Sequence, residues 1–283
     1  MDESQLLVST EWLAKHLNAP DVRVMDASLV LPDDPRNCEE EYEQCHIPGA
    51  RFFDINDIAD SRSELPHMLP PVEKFISKMR AMGIGDGHRI IIYDTNEVLF
   101  SAARAWWMFK LFGKNDVAIL DGGLPKWVKE GRPVEDMRPI MRDRHFTARR
   151  DAALVRDVTQ VAAVHKLGDA QIVDARSPER FAGEEPEARE GVRSGRIPGS
   201  KNVYYKDLSG PEGTFLPLDQ LREKFVEKGI DLDKPIVLSC GSGVTACVLG
   251  LALEMLGHRQ WSVYDGSWTE WGAYSELAID TGW

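Results

Sequence analysis

Long apolar runs are missing from this chain. No stretch of about 18 uninterrupted apolar residues occurs, so an α-helical membrane span is not expected. Excess positive charge is missing too. The 283 residues carry 34 Lys and Arg against 46 Asp and Glu, a formal net charge of −12. That balance argues against nucleic acid or an anionic membrane as the main partner, because both require clustered positive charge. Cysteine is scarce: Cys38, Cys45, Cys240 and Cys247 form no C-x-x-C pair. Zinc and redox dithiols are therefore poorly supported, and a reducing cytoplasm is the default compartment. The opening MDESQLLVSTEW has no basic segment followed by an apolar run, so no secretory signal is expected. What is present is the composition of a soluble globular protein, 43% hydrophobic and 28% charged, with length for one large core or two smaller ones.

The chain repeats itself. The first half runs from a β-type stretch at Val22–Asp26 through HIPG at His46–Gly49 and the helical pattern PVEKFISKMRAMG. A strand-like Arg89–Asp94, the apolar helix AARAWWMFKLFG, VAILDGG and Trp127 follow. The second half has Gln171–Asp174, RIPG at Arg196–Gly199, DQLREKFVEKG, PIVLSC, a second apolar helix, SVYDG and Trp271. Gly113 and Gly257, Gly122 and Gly266, and Trp127 and Trp271 are each 144 positions apart, which marks a duplication. Strands alternate with helical segments in each unit. The fold class is therefore α/β, two tandem domains, each a parallel sheet flanked by helices on both faces. Residues 1–138 and 153–283 form the two domains. Residues 139–152 connect them, and the arginines around this stretch read as a solvated strap. The two IPG tripeptides predict tight turns, Asp26 and Asp174 predict carboxylates bonded to turn amides, and Trp106, Trp107 and Trp127 read as core.

The stretch PIVLSCGSGVTACVLGLALEMLG, Pro235–Gly257, carries the chemistry. A short buried strand ends at Ser239 and a helix apolar on nearly every side is predicted over Val244–Leu256. Between them, Cys240-Gly241-Ser242-Gly243 places a thiol at the carboxyl end of the strand. Two glycines allow successive N–H groups to turn inward, and the positive end of the helix dipole faces the same spot, so a thiolate there is stabilised. At the matching strand end, the first half has Asp94 followed by Thr95-Asn96-Glu97, in a loop two residues longer. An aspartate cannot act as a sulfur nucleophile, so one active loop is implied, with the other half supplying a wall and supporting groups.

A cysteine in such a curl suits two chemistries. A cysteine phosphatase needs an arginine six positions after the thiol, and here that position is Ala246. The remaining use is attack on sulfur, with a persulfide stored on the thiol and its charge held by the loop amides.

The duplicated unit, the two IPG turns, the acidic residue of the first loop and CGSGVTA at Cys240–Ala246 resemble the rhodanese superfamily. The resemblance covers nearly the whole chain and is strongest to the branch that uses 3-mercaptopyruvate. Thiosulfate-preferring members carry charged residues after the cysteine, as in CRKGVTA, where this chain has Gly241 and Ser242. The resemblance implies transfer of sulfur from 3-mercaptopyruvate to a thiol or cyanide through a Cys240 persulfide, releasing pyruvate. It implies that Arg180 and Arg189 grip the donor carboxylate, and that Gly241, Gly243, Val244 and Thr245 surround the transferred sulfur. Thr245 would donate to the persulfide, cap the helix, or do both. It further implies an Asp54, His67 and Ser242 proton relay. No cofactor or metal is required, and a thioredoxin-like protein is the implied thiol acceptor. Three alternatives stay open: a thiosulfate:cyanide sulfurtransferase, a persulfide carrier that docks on another protein, and a purely structural duplicated domain.

Overall fold

The computed structural model describes residues 6–32 and 34–282. It divides into two compact units: the chain up to Ser61 with Leu69–Asp151 and Pro211–Phe215, and Arg62–Met68 with Ala152–Gly210 and the chain from Leu216 onward.

In the first unit, strands β1 (Leu7–Val8), β2 (Val22–Asp26), β3 (Arg51–Phe52), β4 (Arg89–Tyr93) and β5 (Val117–Leu120) form one parallel sheet in the order β1-β5-β4-β2-β3. In the second unit, β6 (Val155–Arg156), β7 (Gln171–Asp174), β8 (Lys201–Asn202), β9 (Ile236–Ser239) and β10 (Trp261–Tyr264) repeat it as β6-β10-β9-β7-β8. Parallel strands are covered on both faces, and the central strands accordingly read as apolar runs rather than alternating ones. Ile90, Ile91 and Ile92 of β4 and Ile236–Ser239 of β9 are all buried. The outer strands β1, β3, β6 and β8 are two residues long, too short for the sequence to show a pattern. Each IPG tripeptide forms the expected tight turn: the Ala50 amide donates to the Ile47 carbonyl at 2.9 Å and Ser200 to Ile197 at 3.1 Å. Gly49 and Gly199 sit at φ of 74° and 75°, a conformation that glycine adopts without steric cost.

Register fixes the equivalence of the repeats. Asp26 lies opposite Tyr93, and Asp174 lies opposite Ser239, so Asp94 and Cys240 are the first residues past matching strands. A buried helix follows each. Phe100–Leu111 has every residue buried except Lys110, and Ala246–Met255 every residue except Met255. Gly250 is required in the second helix, because a Cβ there would lie 2.6 Å from the Trp261 ring. The helix expected from Val244 begins at Ala246 instead, since Gly243 has a φ of 75° and breaks the helical run.

Residues 139–151, expected as a solvated connection, pack on the first unit. Phe146 is buried and meets Phe75 and Phe109 edge-on, with ring centroids 5.9 and 6.4 Å apart. The Arg149 and Asp151 amides donate to the Phe112 and Leu111 carbonyls at 2.9 and 2.7 Å. The chain in this stretch lacks apolar periodicity because one phenylalanine and its backbone make the attachment. Trp106, Trp107 and Trp127 are buried, as expected of core residues. Among the described residues, no helix is long and apolar enough to cross a membrane.

Candidate active site

The loop from Cys240 to Thr245 is held at its start from two sides. The Cys240 amide donates to Ser267 Oγ at 3.1 Å, and that hydroxyl donates to the Tyr264 carbonyl at 2.7 Å. The Cys240 carbonyl accepts from the Trp268 amide at 2.9 Å, and the Gly241 carbonyl from the Thr269 amide and hydroxyl at 2.8 and 2.7 Å. Ser267 makes its bond from a φ of 49°, where the first repeat has Gly123 at 56°. A non-glycine residue in that region costs about 1 kcal/mol, which its two hydrogen bonds offset. Cys240 is only 1% exposed, whereas its neighbours Gly241 and Ser242 are half-buried.

Beyond the thiol, most of the loop's backbone donors point to no acceptor among the described residues. Among the described residues, no oxygen or nitrogen accepts from the amides of Gly241, Ser242, Val244, Thr245 or Ala246. Thr245 precedes the helix but makes no side-chain capping bond, so the capping role expected of it is not taken up. The first repeat is the opposite. Asp94 is fully buried and its carboxylate accepts from the amides of Asn96, Ser101 and Ala102 at 3.0, 3.1 and 2.9 Å, and from the Ser101 hydroxyl at 2.9 Å. Both helices start at the sixth residue past the strand-end residue, at Phe100 and Ala246. The two additional residues of the first repeat therefore extend its helix and do not lengthen its loop.

A chain of alternating charges reaches the Cys240 loop from β7. Asp174 accepts the Arg176 amide at 2.9 Å, the turn bond expected of it, and also receives the Arg176 guanidinium, Nε at 3.0 Å and Nη2 at 2.7 Å on Oδ2. Arg176 is buried, lies 4.6 Å over the Trp268 ring and donates to Glu187 Oε1 at 2.6 Å. The other Glu187 oxygen accepts from Arg180 Nη2. That same nitrogen would stand 3.3 Å from a Cβ at position 241, so the guanidinium occupies the space a side chain would take there. Arg180 Nε is buried without a hydrogen-bond partner. A thiol, a ring of free amides and a guanidinium with donors to spare converge on one loop, an arrangement fit for binding an anion next to a sulfur nucleophile.

The model of the rhodanese-like domain matches residues 9–130 and again 157–274. The chain belongs to the rhodanese family. It is 42% identical to the 3-mercaptopyruvate sulfurtransferase of Escherichia coli K12, over 96% of this chain and 97% of that one. It is 40% identical to the mitochondrial thiosulfate/3-mercaptopyruvate sulfurtransferase 1 of Arabidopsis thaliana, over 98% of this chain and 79% of that protein. The crystal structure of SseA from Escherichia coli, a 3-mercaptopyruvate sulfotransferase, superposes with a TM-score of 0.86 at 40% identity, covering 94% of this chain and 99% of that one.

On this rhodanese scaffold the residues singled out in the sequence fall into four places. Cys240, Gly241, Ser242, Gly243, Val244 and Thr245 form the loop, and Arg180 joins them. Arg189 lies two residues past Glu187; it is half-buried, and its guanidinium has no acceptor among the described residues. His67 belongs to the Arg62–Met68 segment of the second unit and is held at a φ of 60°, rare for a residue with a side chain. Asp54 belongs to the first unit, where its carboxylate caps the short helix Ile55–Ile58 through the Asn56 and Asp57 amides at 2.8 and 3.2 Å. Sequence reasoning missed Arg176 and Ser267. Ser267 had a signal: at the constant offset of 144 it replaces the second glycine of Gly122-Gly123. Arg176 had none beyond its place two residues after a strand-end aspartate.

Proposed function

We propose that this rhodanese-family enzyme is a sulfurtransferase that takes the thiol sulfur of 3-mercaptopyruvate onto Cys240, where it becomes the sulfane sulfur of a persulfide. The observation that carries the reading is the Arg180 guanidinium lodged against Gly241, because it supplies the donor's carboxylate with a partner next to the thiol. A charged side chain at position 241, as in thiosulfate-preferring relatives, would compete for that space. The relatives described above, one of them named for both donors, support the substrate class.

In this reading the Cys240 thiolate attacks the sulfur of 3-mercaptopyruvate. The carbon–sulfur bond breaks, and its electron pair stays on carbon as the enolate of pyruvate. Arg180 and Arg189 hold the carboxylate, and the enolate carbon takes a proton from the Ser242 hydroxyl, which His67 resupplies. The persulfide left on Cys240 is stabilised by the amides of Gly241, Ser242, Val244 and Thr245 and by the Thr245 hydroxyl, with Gly243 shaping the curl. An acceptor thiolate, from a thioredoxin-like protein or a small thiol, then attacks the outer sulfur and regenerates Cys240. The reducing cytoplasm is the compartment we assign, in keeping with four free cysteines.

Intact-protein mass spectrometry tests the reading. Incubation with 3-mercaptopyruvate should add about 32 Da at Cys240 and release pyruvate. Cys240→Ser should do neither; a Cys240→Ser protein with full turnover would overturn the proposal. Thiosulfate as sole donor is the second reading, and kcat/KM for both donors decides between them. Arg180→Ala should reduce the value for 3-mercaptopyruvate more than that for thiosulfate.

A further inference from the structure

The first unit contains a second place built for negative charge, at the opposite ends of its strands. A cavity of about 380 Å³ lies where the chain leaves the helix Thr10–His16, enters β2 and makes the Pro48-Gly49 turn. Arg23, Arg51 and Arg144 line it, and no Asp or Glu does. Arg23 is the second residue of β2, so the cavity is at the amino end of that strand, whereas Asp94 and its loop follow the carboxyl end of β4.

The three guanidiniums are only partly satisfied. Arg23 Nη1 donates to the Pro20 and Val22 carbonyls at 2.9 and 2.7 Å, but its Nε is buried with no partner. Arg51 donates to the Met82 and Gly49 carbonyls at 2.7 and 2.9 Å. Arg144 has no hydrogen bond or ion pair among the described residues, and it comes from the 139–151 strap that packs on this unit. None of the three pairs with a carboxylate among the described residues, in a chain with 46 acidic side chains. Their charges act on one another. Burial and then the Arg144 charge hold Arg23 below the ordinary arginine range, opposed by exposed Asp21; burial and then Arg23 do the same to Arg51. Burial, followed by the charges of Arg23, Arg144 and Arg51, pushes nearby His88 down to about 4, so it is neutral at physiological pH.

The fold does not require this charge. The second unit has a cavity of about 340 Å³ made of the same parts, with Pro198-Gly199 at the turn. By strand register Lys201 replaces Arg51 and Gln171 replaces Arg23. Lys201 Nζ is already donated to the Gly229 carbonyl and to Gln171 Oε1. No counterpart of Arg144 lines that cavity. Three clustered cations with no carboxylate paired to them among the described residues are stabilised by an anion from solution, and planar forks match an oxyanion. We propose that the first-unit cavity binds a small tetrahedral dianion, of the phosphate or sulfur-oxyanion class, between Arg23, Arg51 and Arg144.

Isothermal titration of the full chain with inorganic phosphate, sulfate and thiosulfate, at ionic strength matched with chloride, tests this. Saturable one-site binding is expected on a Cys240→Ser background, which removes the persulfide reaction. Arg144→Gln should weaken binding about tenfold or more, and Arg144→Glu, which fills the mouth with an internal carboxylate, should abolish it. In the protein retaining Cys240, both variants should keep sulfur-transfer turnover. The ligand source is read from pH: phosphate binding tightens from pH 6 to 8 as the dianion forms while sulfate binding stays level, and His88 does not titrate in that window. Binding no stronger than chloride, or equal affinity in wild type and Arg144→Glu, would overturn the assignment.

Discussion

At the end of β4 the chain places a carboxylate, and at the end of β9 it places a thiol. Around both, the backbone is the same. The carbonyl of the strand-end residue accepts one amide from the segment after the last strand, Leu124 for Asp94 at 3.1 Å and Trp268 for Cys240 at 2.9 Å. In each repeat a buried helix begins six residues on, with its first amides directed back along its axis. The first repeat provides its own acceptor: Asp94 takes the helix amides of Ser101 and Ala102, the loop amide of Asn96 and the Ser101 hydroxyl. In the second repeat five amides have no oxygen or nitrogen acceptor among the described residues. An affinity for negative charge is thus a property of the strand-loop-helix unit itself. Whether it is used for stability or for a substrate depends on whether the chain provides its own anion.

The largest effect comes from exchanging the two residues. Cys240→Asp should abolish sulfur transfer, by at least about a thousandfold, because a carboxylate cannot carry a persulfide. The same variant should unfold at a temperature no lower than that of Cys240→Ala, since the new carboxylate can take the free amides. Thermal melts of the two variants check the second half. A Cys240→Asp protein clearly less stable than Cys240→Ala would mean that the second loop differs from the first in more than its strand-end residue.

Much of this contrast is legible in the sequence, and the reason is repetition. A constant offset of 144 exposes the duplication, and buried parallel strands advertise themselves as β-branched runs. The strands β2 and β7 and the Cys240 loop follow directly from those patterns. Three things were not legible. The outer strands β3 and β8 have two residues each, below the length at which periodicity exists. The fate of the arginine-rich 139–151 stretch depends on a single phenylalanine, Phe146, finding the ring cluster of Phe75 and Phe109. The Asp174, Arg176, Glu187 and Arg180 series joins residues spread over a loop whose charges read as solvent-facing, and only burial distinguishes Glu187 from Glu184 and Glu185.

That series offers the next largest test, again by comparison. Two residues after the strand-end aspartate, the first repeat has Ser28, which bonds Asp26 through its amide at 2.9 Å and its hydroxyl, and the second has Arg176. Replacing Arg176 by the serine of the first repeat leaves the side chains of Asp174 and Glu187, 3% and 5% exposed, without their shared cation. Removing one partner from a buried pair costs about 3–5 kcal/mol, measurable by urea denaturation. Arg180 then loses the anchor of Glu187, so KM for the carboxylate donor should rise by more than kcat falls. Arg176→Lys should recover part of the stability but less of the KM, as one ammonium cannot reproduce the fork to both carboxylates. An unchanged KM with lost stability would make Arg176 a structural residue only.

The smallest effect is a pH dependence carried by the strand-end carboxylate of the first repeat. Burial pushes the Asp94 carboxyl up to about 6, against the pull of the Ala102 and Asn96 amides and the Ser101 hydroxyl, and the charge of Asp26 adds to the rise. A carboxyl raised above its unfolded value of 3.8 binds its proton more tightly in the folded chain. Its contribution to stability is complete below the unfolded value and is lost as pH rises through about 6. Over that window the loss is at most about 3 kcal/mol, from 1.36 kcal/mol per unit. Asp94→Asn cannot titrate. The difference in unfolding free energy between wild type and Asp94→Asn should therefore change between pH 4 and 6 and be level above about pH 7, its slope including the coupling to Asp26. A difference level from pH 4 upward would mean that the four donors keep Asp94 ionised throughout. Cys240→Asp extends the comparison to the second repeat: a slope imported with the carboxylate would show that burial sets the proton affinity at both strand ends.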